Sequence, residues 1–186
     1  MPNKVKYGLK NVYYAKATDN GAGVLTYGTP VAIPGAVNMS MEAQGDTTPF
    51  YADNIVYWQS VANQGYSGTL EIALIPDSFR EDILGDTADT NSVQYETSGQ
   101  KGSEFALLFQ FEGDANAVRH CFYRCTASRA AVNGQTTEAS ITPQTETLNI
   151  TAMPRISDEL VKSRCDETTA AAQYAAWFTQ VYEPSI

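Results

Sequence analysis

Few residues of this chain are of the types that do chemistry, and their spacing keeps them apart. His120 is the only histidine. It sits mid-strand beside Cys121, and adjacent strand residues point to opposite faces, so the two side chains do not meet as a nucleophile pair. His120 is therefore read as a structural histidine. The three cysteines, Cys121, Cys125 and Cys165, form no cluster with zinc spacing. Cys121 and Cys125 fall on one strand, where four residues span roughly 13 Å, far beyond disulfide reach. Asp86, Asp89 and Asn91 resemble the start of a calcium loop, but no Glu closes it at the right distance. Gly21-Ala-Gly23 lacks the lysine and the context of a phosphate loop. The acidic pair Glu81-Asp82 falls on the exposed side of a short helix and reads as solvated. The expectation is no catalytic site, no cofactor and no metal, and hence no enzyme.

What remains is a set of elements. The stretch from Gly65 to Gly85 anchors them: Tyr66, Leu70, Ile72 and Leu74 share one face at period two, which predicts a strand. Pro76 ends it for want of an N–H. A short helix then spans 77–84, with Asp77 or Ser78 as its cap, Phe79 and Ile83 on one face and Gly85 as its left-handed stop. A helix that short is marginal alone and must lean on a sheet. Residues 7–17 read as a first strand, 24–33 as a looser extended segment, and 36–43 as a strand opposing Val37, Met39 and Met41 to Asn38, Ser40 and Glu42. Residues 45–54 read as a long connection carrying Phe50 and Tyr51. A hairpin is expected from 55–61 and 66–75 across Asn63-Gln-Gly65.

The polar run 86–103 is the candidate mobile loop. A second hairpin joins 104–112 to 117–126, and its first strand stacks Phe105, Leu107, Phe109 and Phe111 at the centre of the core. Residues 130–140 read as linker or short strand. Residues 144–153 set Thr145, Thr147, Asn149 and Thr151 against Glu146, Leu148, Ile150 and Ala152, so one face meets water. A short strand at 160–165 leads to a helix over 168–182, whose apolar face is Ala170, Tyr174, Trp177, Phe178 and Val181. The fold class is mainly β: an antiparallel sandwich or half-barrel with two helices.

Composition narrows the partners. With 186 residues and only 18% charged, the chain fits one domain with a self-sufficient core. A formal charge of −9 argues against a nucleic-acid groove or an anionic membrane surface. The first residues, Met-Pro-Asn-Lys-Val-Lys-Tyr, lack a signal-peptide core, and no apolar run is long enough to span a bilayer. A soluble protein made in a cytoplasm is expected.

Six blocks, in order along nearly the whole chain, carry a family resemblance. They are Tyr7-Gly-Leu-Lys-Asn-Val-Tyr-Tyr-Ala15, Pro34-Gly-Ala-Val37, Gly45-Asp-Thr-Thr-Pro-Phe-Tyr-Ala-Asp53, the Gly65 to Gly85 stretch, Phe105-Ala-Leu-Leu-Phe-Gln-Phe-Glu-Gly113 and Gln144-Thr-Glu-Thr-Leu148. Together they resemble the phi13-type major tail proteins, the tail-tube proteins of long, non-contractile-tailed bacteriophages. The resemblance implies a structural virion protein, assembled in the host bacterial cytoplasm. It implies a single tail-tube domain over 1–186, without the extra C-terminal immunoglobulin-like domain of some relatives. It also implies stacked hexameric rings through which genomic DNA leaves without specific binding. The partners implied are the chain itself, a tape measure protein, and tail terminator and distal tail proteins.

On that reading the polar strand faces line the channel, with Asn38, Ser40, Glu42, Thr69, Glu71, Thr145, Thr147 and Asn149 as lumen candidates. Asp46, Phe50, Tyr51 and Asp53 are the candidates for ring-to-ring contact. The competing reading is a monomeric β-sandwich binding module, adhesin-like, with Tyr51, Tyr57 and Trp58 as an aromatic platform.

Overall fold

The computed structural model describes residues 3–136 and 142–185. At 48% strand and 8% helix the protein is mainly β, with antiparallel sheets, as expected. The chain runs β1 (Lys6–Asp19), β2 (Leu25–Tyr27), β3 (Val31–Ala32), β4 (Ala36–Gln44), β5 (Thr47–Ala52), β6 (Ile55–Val61) and β7 (Gly65–Ile72). A helical turn α1 (Asp77–Phe79) continues as a wider π-turn over Arg80–Leu84. Then come β8 (Thr87–Ala88), β9 (Gln94–Tyr95), β10 (Phe105–Gly113), β11 (Val118–Ala127), β12 (Glu146–Met153), β13 (Lys162–Asp166) and a helix α2 (Ala171–Ala176).

Nine strands form one sheet in the order β2-β1-β10-β11-β12-β7-β4, with β3 on β1 and β13 on β11. The free edge of β11 is divided: its first half pairs with β13 and its last four residues pair with β12. From there β12, β7 and β4 continue as a separate wall. Leu70, Ile72, Leu148 and Ile150 of that wall share one buried cluster with Val12, Tyr14, Phe105, Leu107 and Phe109. The sheet therefore curls around its own core, and β4 comes back into contact with β1. Phe79, Ile83 and Leu84 plug this core from the α1 region, and burial against the sheet is what holds so short a helix.

The β10/β11 hairpin is buried on both faces. Its other side carries Ala106, Leu108, Cys121 and Tyr123, which cluster with Cys165 of β13, Trp177 and Val181. His120 and Cys121 do point to opposite sides: His120 stacks on Phe109 at 5.2 Å, while Cys121 lies in the second cluster. All three cysteines are free and buried.

Several expectations are corrected. Residues 55–61 do not pair with β7. That place belongs to β4, whose Met39 faces Leu70 across the ladder, because Met39 and Met41 pack on the core cluster. β6 pairs instead with β5, which the sequence reading treated as a connection. The α1 cap is Pro76, with no side-chain hydrogen bond from Asp77 or Ser78. The C-terminal helix is six residues long, not fifteen. Asp166 accepts the N–H groups of Thr168 and Thr169 and caps a turn there instead. Asp82 is not merely solvated, for it accepts the Tyr14 hydroxyl at 2.8 Å. The loop at 86–103 carries the small β8/β9 ladder. Of the linker 130–140, residues 137–140 lie outside the described residues.

Candidate functional site

Two surfaces stand out, and each grows directly from strand periodicity. The first is the outer face of β4, β7 and β12. Their registers align the three strands rung by rung. Asn38 lies beside Glu71 and Glu71 beside Thr147; Ser40 beside Thr69 and Thr69 beside Asn149; Glu42 beside Ser67 and Ser67 beside Thr151. With a side-chain period of two, Met39, Met41, Leu70, Ile72, Leu148 and Ile150 point the other way, into the core. The nine side chains of these rungs are thus short hydroxyls, amides or carboxylates; Val37, expected on the core side with Met39 and Met41, is instead exposed, at the bulge where β4 shifts register between Ala36 and Asn38. The only ionisable groups of the rungs are Glu42 and Glu71.

All the lumen candidates are brought together on this face. Thr145, just before β12, donates its hydroxyl to Glu71 Oε1 at 2.6 Å. Glu146 is on the core side, where its carboxylate accepts the Ile75 N–H at 2.6 Å and Arg80 at 3.0 Å. A slip of β12 by one residue, which would put Glu146 on the polar face, is not adopted. Gly68 explains how tightly the wall is built: a Cβ there would lie 1.8 Å from the Ser40 carbonyl oxygen, so no other residue fits at this crossing.

The second surface is an arm. β5 and β6 form their own two-stranded ladder, which pairs with neither of the other sheets. The arm prolongs the β4/β7 ribbon: Gln64 N–H donates to the Gln44 carbonyl, Ala62 N–H to the Asp46 carbonyl, and the ladder resumes at Thr47 and Val61. Gly45 makes the bend, with φ +150° and the Ala62 carbonyl 1.9 Å from where a Cβ would sit. At the tip, Asp53 and Asn54 both take positive φ, 51° and 64°. That is the geometry of a two-residue type I′ turn, which Asn and Asp tolerate. This Asp-Asn pair was the signal in the sequence for a hairpin at 47–61.

The arm is apolar and exposed. Phe50, Tyr51, Ile55, Tyr57, Trp58 and Val61 are each more than half accessible, and none belongs to either buried cluster. Phe50 pairs with Trp58 on one side, while Tyr51 follows Phe50 and so points to the other. Tyr51 and Trp58 therefore do not share the flat platform that a sugar-binding module would want. Of the contact candidates, Phe50 and Tyr51 lie mid-arm, Asp53 at the tip and Asp46 at the bend.

Residues titrating far from their usual range are engaged structurally. Burial, with Lys162, Arg164 and Lys6 nearby, lowers His120 to about 4, so it is neutral at physiological pH. Burial pushes the Cys121 and Cys125 thiols up, away from the thiolate a nucleophile needs. Asp89 is held low by the Val93 and Asn91 N–H groups of its own turn. Among the described residues no group of three or more His, Cys, Asp or Glu could hold a metal ion. No helix among them is long and apolar enough to cross a membrane.

A curled antiparallel sheet with one polar face, and an apolar arm reaching away from it, defines an assembling structural subunit. The family model described as "Phage tail tube protein" matches residues 2–183. The chain belongs to that family, which is structural and non-enzymatic and whose members self-assemble into the tube of the virion tail. No curated protein matches the chain.

Proposed function

We propose that this chain is the major tail tube subunit of a long, non-contractile phage tail, polymerising into stacked hexameric rings. The outer face of β4, β7 and β12 lines the channel through which genomic DNA leaves. The observation that supports this reading is the register of that face, in which the nine residues of its aligned rungs are hydroxyls, amides and two carboxylates. Such a wall offers phosphates no cation to hold. Two carboxylates per subunit make twelve in a six-membered ring, and they repel the duplex over the roughly 8–10 Å that physiological salt leaves unscreened.

The edge of β4 ends the sheet path, and pairing it with a neighbour's sheet would remove an aggregation-prone edge. The arm, with Asp46, Phe50, Tyr51 and Asp53, and the mobile loop at 86–103 make the contacts between rings. The tape measure, tail terminator and distal tail proteins bound the tube, and assembly takes place in the host cytoplasm. Negative-stain microscopy of the purified chain tests the reading: rings or tubes support it, and featureless monomers favour the binding-module alternative.

A further inference from the structure

Near the arm's root lies a cleft that the wall does not use. It is lined by Met39, Met41, Tyr66, Phe109, Phe111 and Phe122, with His120 beside them, and its volume is about 210 Å³. An apolar cavity of about 150 Å³ admits a benzene, so this one has room for one aromatic side chain. Thioethers at Met39 and Met41 let its wall adapt to a ring of either size.

The rim is basic. Lys6 sits 4.8 Å over the Phe111 ring and Lys162 sits 4.3 Å over Tyr66, to whose hydroxyl it also donates. Arg164 pairs with His120 across the β11/β13 ladder and so projects to the same side. Among the described residues none of these three cations has an ion-pair partner. In a chain of net charge −9, three unpaired cations around an apolar cleft call for an occupant.

We propose that this cleft receives the arm of a second copy of the chain, one aromatic side chain entering among the methionines and phenylalanines while the arm acid nearest it, Asp53 at the tip or Asp46 at the root, meets the lysine and arginine rim. The match is chemical. Residues 45–64 hold two acids and no base, and they expose Phe50, Tyr51, Tyr57 and Trp58. A copy cannot fill its own cleft in this way. Met41 and Tyr66 of the cleft belong to the ribbon from which the arm rises, and the unbroken ladder through Gln44, Asp46 and Thr47 carries the arm outward. An arm entering the next copy's cleft is a heterologous contact, the kind that repeats into rings or filaments rather than closing as a dimer. The inference rests on the tube reading and adds where one subunit grips the next.

The test is charge exchange, read as the concentration at which the purified chain polymerises in a sedimentation assay. Lys6→Glu with Lys162→Glu should raise that concentration about tenfold or more, because acids would then face acids. Asp46→Lys with Asp53→Lys should do the same. All four changes together should restore polymerisation to near the unmodified level. Circular dichroism melts confirm folding, and Arg164→Glu replaces the lysine pair should that pair fail to fold. Polymerisation of the Asp46→Lys, Asp53→Lys chain at the normal concentration overturns the proposal. So does failure of the fourfold variant to recover while both pairs fold. If the unmodified chain forms no rings or tubes at all, the tube reading itself fails, which is a separate outcome.

Discussion

The polar wall and the arm are consecutive parts of one ribbon: β4 runs into β5 at Gly45, and β6 runs into β7 after Asn63. Both are exposed, yet they are built on opposite plans. In the wall, alternation sends Leu70, Ile72, Leu148 and Ile150 to a core where each is at most 1% accessible, and the face left outside is wet by design. In the arm, alternation yields no buried side, and Phe50 and Trp58 on one side and Tyr51 on the other all meet solvent. Exposure on the wall is thus the finished state of a surface meant to touch water. Exposure on the arm is, on the proposed reading, a surface to be buried on assembly. The two regions should therefore answer mutation differently, the wall through monomer stability and the arm through polymerisation.

The largest effect should come from behind the wall. Leu148→Ala removes a side chain that is fully buried and should cost about 2–5 kcal/mol in urea denaturation of the monomer. A cost near that of an exposed site would mean that the wall is not anchored as described.

Next is His120, beside the cleft that adjoins both regions. Its pKa is lowered to about 4, chiefly by burial and then by Lys162, Arg164 and Lys6. The unfolded chain binds this proton near 6.5, so between pH 4 and 6.5 the unfolded state carries more protons and stability rises with pH. As pH falls through that window the native chain should lose on the order of 1–3 kcal/mol more than His120→Gln, after allowance for partial exposure. Parallel pH profiles for the two proteins would contradict the burial of the imidazole.

The arm reverses the pattern. Phe50→Ala with Tyr51→Ala should change monomer stability by no more than about 0.5 kcal/mol per site, while stacking into tubes is lost or strongly weakened. Tubes of normal length from that double variant would move the contact to another surface.

The smallest effect on folding belongs to the wall's outer face. Glu42→Lys with Glu71→Lys should melt with the unmodified protein, since neither side chain faces the core. DNA passing through such tubes should be retained, and more so at low salt, as each new cation near a phosphate releases counterions. Normal ejection rates from phage carrying these tubes would remove β4 and β7 from the channel.

The wall was legible in the sequence because its two faces differ at every second residue. Asn38, Ser40 and Glu42 against Met39 and Met41 leave one register that keeps the methionines dry, and a slip by one residue would have exposed them. The Phe105 to Phe111 strand was legible for the same reason. The arm was misread because its alternation separates nothing: with apolar groups on both sides, period two gives no direction, and only the Asp53-Asn54 turn marked the hairpin. The C-terminal helix was overextended because Trp177 and Val181 have helical spacing, but beyond Ala176 only isolated turns continue, with Trp177 N–H on the Tyr174 carbonyl and Thr179 N–H on the Ala176 carbonyl, while burial in the cluster of Cys121 and Tyr123 holds the two side chains. Trp177 also donates its indole N–H to the His120 carbonyl at 3.2 Å, which ties it to β11.

Whether the β4, β7 and β12 face is the channel wall can be seen by cryo-electron microscopy of tubes assembled from the purified chain. The expected tube is hollow, and its inner surface carries Ser40, Thr69, Thr147 and Asn149, with Glu42 and Glu71 as its charged groups. A tube in which that face lies outside, or is buried between subunits, would contradict this placement.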